Sequence, residues 1–250
     1  MNENFDAFDE YAMRYDMNEP MIGYKYNHTY RVVHQAEEIA RSLNLTEEDK
    51  ELASIIALLH DIGRFPQWTE FKTFDDHKSV DHADEAIKIL FDNKEIEKYV
   101  LDKKYYDIVK TAIKLHNKLE YNEEKLSTKE SLHTKIIRDA DKIDIIYSFS
   151  TQRLLEIESD DSPISKKVEE KLKEHKQVNK QDVVTKNDRI LMELALVYDL
   201  NFKYSLEKVY NENYLSKMVE SFKNKEIFMP YLEEINAYMK GEIENAREEI

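Results

Sequence analysis

His60 and Asp61 close the apolar run IIALLHD, and Gly63 and Arg64 follow at once. An imidazole and a carboxylate that end a buried helix turn must pair with something or coordinate it, because an unpaired carboxylate is costly away from water. Other residues of the same chemical type are spread along the chain. His28 stands four residues before Val32 and extends an apolar helical stripe. His34 lies six residues further on, roughly 240° around a helix at about 100° per residue, among Glu37, Glu38 and Arg41. His28 is therefore the candidate and His34 belongs to the surface. His82 stands before Ala86 and Leu90, and His116 follows Ala112 and Ile113, so both occupy inner faces. Asp139, Asp141 and Asp144 lie in RDADKIDII, where the apolar residues spread too widely for periodicity to choose among them. His77 lies in a polar stretch, and His133 and His175 have charged or polar neighbours that place them at the surface.

The chemistry open to this set is limited. The chain has no cysteine, so a metal would be held by His, Asp or Glu alone. Imidazole nitrogens and carboxylate oxygens suit Mn²⁺, Fe²⁺, Co²⁺, Ni²⁺, Zn²⁺ or Mg²⁺. Such an ion lowers the pKa of a bound water and polarises a phosphoryl oxygen.

These side chains need helices to position them. Only 3 glycines and 4 prolines occur in 250 residues, too few for a turn-rich sheet protein, while Glu-, Lys-, Leu- and Ile-rich segments of helical period dominate. The spacing predicts an all-α protein. Residues 1–24 read as a lead-in, one short helix packed on the body. A helix follows from Asn27 to Leu43, then one capped by Thr46 and running to His60. Residues 63–78 lack periodicity and read as a loop, whose Phe65, Trp68, Phe71 and Phe74 pin it to the bundle. Ser79 is expected to cap the next helix, and Tyr105–Leu119 and Leu132–Leu155 form two more. After residue 160 a charged, exposed helix and loop precede an apolar helix capped by Asn187, and a last helix fills 230–246. This C-terminal part is expected to complete the bundle or build a pocket wall.

The net charge of −15 argues against binding nucleic-acid polymers or anionic membranes through a basic face. The acidic start MNENFDAFDEYAMRYD has no apolar signal-peptide core, and no apolar run approaches the ~18–20 residues of a membrane span. A cytoplasmic setting is expected.

Three segments resemble the HD superfamily of metal-dependent phosphohydrolases: HTYRV at 28–32, HDIGRF at 60–65 and DADKID at 139–144, in the order H…HD…D. The resemblance implies an HD-type helical bundle with additional C-terminal helices. It divides the chain into a lead-in at 1–24, a metal-binding core at 25–158 and a helical extension of the same domain at 159–250. It also implies a divalent metal held by His28, His60, Asp61 and Asp141. Some HD branches hold a second ion through two further histidines, and His82 and His116 stand in that order. Otherwise these two would contact substrate. Arg64 and Lys142 stand near these ligands in the sequence and could neutralise charge on the transferring phosphate, so with Asp61 they are the candidate catalytic residues, Arg64 also binding substrate. Asp61 would both ligate and orient the water, and Arg31 is a surface residue. The superfamily often has lysine where Arg64 stands.

The expected activity is removal of phosphate from a small phosphorylated compound, a nucleotide above all. Two other functions fit the same residues: a di-iron oxygen-dependent enzyme and a non-catalytic nucleotide sensor. The sequence has no P-loop, no GxSxG and no Gly-Tyr-Pro motif of cyclic-dinucleotide phosphodiesterases. An apolar face over 190–200 would suit a homodimer.

Overall fold

The computed structural model describes residues 3–100, 102–151 and 158–248, and every regular element among them is helical. The chain forms two compact units, Met1–Asp141 and Lys142–Ile250. No described helix is long and apolar enough to cross a membrane.

In the first unit, α1 (Glu3–Ala12) packs on α3, as the lead-in was expected to do. α2 (Pro20–Ser42) starts seven residues earlier than the sequence suggested. Pro20 at its first turn fixes φ and gives up an N–H that had no helical partner anyway. α2 lies along α3 (Glu47–Leu59). The core between and around them is Val32, Ala36, Ile39, Leu52, Ile56 and Leu59, all at most 3% exposed. Thr46 caps α3, its hydroxyl accepting from the Asp49 N–H.

The stretch read as a loop is half helix. α4 (Arg64–Phe71) occupies its first part, ending at Lys72 in the left-handed region. Its eight residues are too few to show a period, and Pro66 is tolerated in the first turn. Phe65 is fully buried against the rings of Phe8, Tyr11 and Tyr15. Phe71 is partly exposed. Gln67, also buried, ties down the rest: its amide donates to Asp76 Oδ1, Ser79 Oγ and the Val80 carbonyl, each at 2.8 Å.

α5 (His82–Ile87) continues into a π-helical turn over Lys88–Asp92. Asp81 rather than Ser79 is its cap, accepting from the Ala83 and Asp84 N–H groups. α6 (Tyr106–Leu115) ends just before His116. α7 (Thr128–Ser150) carries the three aspartates. The predicted end of this helix, residues 152–155, lies outside the described residues.

His133 is not a surface residue: it is 1% exposed. It shares the inner face of α7 with Ile136, Ile137 and Ala140. Its Nε2 lies 3.3 Å from Asp49 Oδ1, which also takes the Lys129 ammonium at 2.7 Å. The charged neighbours that suggested solvent lie on other faces of the helix or are its partners.

The second unit contains α8 (Lys166–Lys173), α9 (Lys186–Leu194), α10 (Lys203–Asn211), α11 (Tyr214–Glu220) and α12 (Met229–Glu248). The charged α8 still buries Val168 and Leu172. Thr185, not Asn187, caps α9, in a reciprocal box with Asp188. Asn187 instead donates to the carbonyls of Asp160 and Ser162 and so anchors the preceding loop. The apolar residues Ile190, Leu191, Leu194, Ala195 and Val197 are buried within this unit. The face expected to be left over for a second copy is thus already covered.

Candidate metal centre

Five helices bring side chains together around Asp61. α2 contributes His28 from its inner face, and the end of α3 delivers His60 and Asp61. α5 begins with His82, α6 ends at His116, and α7 supplies Asp141. His28, His60, Asp61, His82 and His116 are all at most 2% exposed.

Gly63 makes the convergence possible. A Cβ at this position would stand 2.2 Å from the His82 carbonyl oxygen and 2.8 Å from the Ala86 nitrogen. The absence of a side chain lets the start of α5 close on the HDIG turn. Behind that turn, the Tyr11 hydroxyl donates to the Ile62 carbonyl at 3.2 Å.

The two oxygens of Asp61 face two groups. Oδ2 lies 3.4 Å from His28 Nε2 and 3.6 Å from His60 Nε2. Asp141 Oδ1 completes that group at 3.2 Å from His28 Nε2 and 3.8 Å from His60 Nε2. Atoms held about 2.1 Å from one ion stand roughly 3.0–3.5 Å apart in octahedral or tetrahedral arrays. Among the described residues, His28, His60 and Asp141 form one group that could hold an ion, and His60, Asp61 and His116 form another. Oδ1 lies 3.4 Å from His82 Nε2 and 3.8 Å from His116 Nε2.

Tautomers sharpen the fit. His60 Nδ1 contacts the Ala57 carbonyl at 2.7 Å, and His116 Nδ1 contacts the Ile113 carbonyl at 2.6 Å. A carbonyl only accepts, so both Nδ1 atoms carry the proton and both Nε2 atoms present lone pairs. His82 Nδ1 is 2.7 Å from Asp76 Oδ2, which fixes it the same way. His82 Nε2 and His116 Nε2 then face each other at 3.0 Å, an arrangement that calls for a shared proton or a cation. Burial pushes both rings below the usual imidazole range, and His116 well below it, which disfavours the proton. The buried Nε2 of His60 has no hydrogen-bond partner among the described residues. Burial alone would raise the carboxyls of Asp61 and Asp141. Lys25 and His60 pull Asp61 well below its ordinary range, and the neighbouring His28 and His60 rings do so for Asp141.

Arg64 lies at the edge of this centre. Its Nε is 3.5 Å from Asp61 Oδ1, while Nη1 donates to Asp76, Gln67 and the Phe74 carbonyl. In the second unit the Lys142 ammonium rests on Asp199 Oδ2 at 2.7 Å. Asp139 and Asp144 are buried and belong to neither of the groups described above. His34 and His77 are exposed, and the Arg31 guanidinium lies over the Tyr24 ring at 5.7 Å.

Sequence reasoning passed over four residues here. Lys25 donates to Asp61 Oδ2 at 2.6 Å. Its position three before His28 on one helix face was a usable signal. Asp76 fixes His82, and Asn117 donates to Asp81 at 3.1 Å. Arg138, 1% exposed, donates to the carbonyls of Leu115, His116 and Lys118 and so caps the end of α6. Nothing in the local sequence marks Asp76 or Asn117, because both act across loops.

These observations define a helical domain built around buried His/Asp groups that could hold a metal ion. Its family follows from comparison: residues 26–146 match the HD domain and form one. No curated protein and no solved structure matches the chain.

Proposed function

We propose that the HD domain is a metal-dependent phosphohydrolase acting on a small phosphorylated compound, a nucleotide above all. The observation that carries this reading is the buried Nε2 of His60, without a hydrogen-bond partner among the described residues, which faces the oxygens of Asp61 and Asp141 together with His28. His28, His60, Asp61 and Asp141 would hold a divalent cation, which lowers the pKa of a water and polarises a phosphoryl oxygen. The chain's own residues do the rest. The carbonyls of Ala57 and Ile113 keep the protons of His60 and His116 on Nδ1. Asp61 accepts hydrogen bonds and so orients the attacking water. Arg64, held in a fixed fork by Asp76 and the Phe74 carbonyl, supplies positive charge beside the transferring group.

A second reading draws on the His82–His116 pair and Asp61 Oδ1. A second ion there would give a dinuclear centre, which also suits oxygen-dependent di-iron chemistry.

The test is metal content and phosphate release with Mn²⁺, Co²⁺ or Mg²⁺ across a panel of nucleotides and phosphoesters. Wild type is expected to hold metal and release phosphate, and His60→Ala to lose both. Metal without phosphate release, together with oxygen consumption at two irons per chain, would favour the second reading. Tight nucleotide binding without turnover, unchanged in Asp61→Ala, would make the domain a sensor.

A further inference from the structure

Lys25 and His28 leave the same face of α2, three residues apart. The Lys25 side chain is only 12% exposed, and Asp61 is the sole hydrogen-bonding partner of its ammonium among the described residues. The ring of Phe74 lies 5.3 Å from that ammonium and 5.6 Å from the Arg64 guanidinium. Two cations thus meet at one carboxylate and one aromatic ring.

The two differ in what else holds them. Arg64 is fixed by Asp76, Gln67 and a backbone carbonyl. Lys25 has only Asp61, the carboxylate that His28 and His60 also approach. When a divalent ion shares Asp61, the three negative charges of Asp61, Asp141 and Asp76 face the four positive charges of the ion, Lys25 and Arg64. Positive charge then exceeds negative around Lys25, in a setting with little water to screen it. The centre calls for an anion on the side of Lys25, and the flexible lysine stem can turn to meet it. Phe74 holds the ammonium partly out of water and so strengthens its attraction for a charged partner.

We propose that Lys25 is a substrate-binding residue that takes a non-bridging oxygen of a terminal, dianionic phosphate. The assignment rests on the phosphohydrolase reading and narrows it to substrates with a free phosphate end, such as phosphomonoesters, over internal diesters.

The experiment uses the full chain loaded with Mn²⁺ and measures three things for wild type, Lys25→Met and Lys25→Arg. These are bound metal per chain, the Kd for inorganic phosphate by calorimetry, and KM and kcat on any phosphomonoester that is turned over. Lys25→Met is expected to keep its metal, to weaken phosphate binding roughly 10- to 100-fold, the scale of one charge-assisted hydrogen bond, and to raise KM more than it lowers kcat. Lys25→Arg should recover part of the phosphate affinity. Turnover by wild type with unchanged phosphate affinity in Lys25→Met overturns this assignment alone. Loss of metal in Lys25→Met also overturns it, since the lysine would then be supporting the ligands. A metal-loaded wild type that neither binds phosphate nor turns over any ester overturns both the assignment and the phosphohydrolase reading.

Discussion

At the scale of single residues, the centre is governed by which nitrogen of each imidazole carries the proton. The carbonyls of Ala57 and Ile113 and the carboxylate of Asp76 settle that question for His60, His116 and His82. All three histidines were visible in the sequence because each ends or lines an apolar helical stripe. Their tautomers were not, since two of the partners are backbone atoms and the third sits in an aperiodic stretch. His133 teaches the same lesson away from the centre, and there it gives a testable pH dependence. Burial lowers its pKa, while Asp49 opposes the shift. The folded ring stays neutral where the unfolded one, near 6.5, begins to protonate. The unfolded chain therefore binds more protons below that value, and stability is lost as pH falls from about 6.5 through the depressed folded pKa. Urea midpoints measured from pH 8 to pH 5 are expected to fall. His133→Gln should lower the midpoint at pH 8 yet flatten the slope, and an unaltered slope would remove His133 from the account. Asp49, held down to about 2 chiefly by Lys129 and Thr46 against its own burial, acts at lower pH, below about 4.

At the scale of elements, the start of α5 and the HDIG turn are joined by absence of a side chain. Gly63 has an ordinary negative φ of −70°, so conformational freedom does not explain it. The His82 carbonyl does, because it is backbone and cannot swing aside. Gly63→Ala is expected to cost about 3 kcal/mol, at the upper end for overpacking, and to move His82 away from Asp61. Thermal melting checks the first effect and metal content the second. A variant with wild-type melting and metal content would show that the turn can open freely. The helices themselves were largely legible: the Thr46 cap, the α3 run into His60 and the inner face of α6 can all be read from the sequence, whereas the wide apolar spread of α7 hid the burial of His133. α4 was not, because eight residues with an early proline show no period. The cap of α9 was misplaced by two residues because Asn187 and Thr185 are both good caps, and only the loop at 160–162 decides between them.

At the scale of the whole molecule, the fold gathers several buried lone pairs and carboxylates at one point in the first unit, and a cation there would satisfy them together. Metal should therefore bind the folded chain in preference to the unfolded one. At a free concentration about 100 times its Kd, it stabilises by roughly 2.7 kcal/mol. Melting with Mn²⁺ should occur several degrees above melting with a chelator, and equal melting points would count against the site. The molecule also carries its own reporter of that event. Trp68 is the only tryptophan in the chain, and its ring lies 4.9 Å from Phe74, the ring shared by Lys25 and Arg64. Light emitted by this protein through its indole comes from one place, three contacts away from Asp61. Adding Mn²⁺ and then phosphate to unlabelled protein is expected to change the indole emission in two separate steps, and an unchanged emission on both additions would show that Trp68 does not sense the centre.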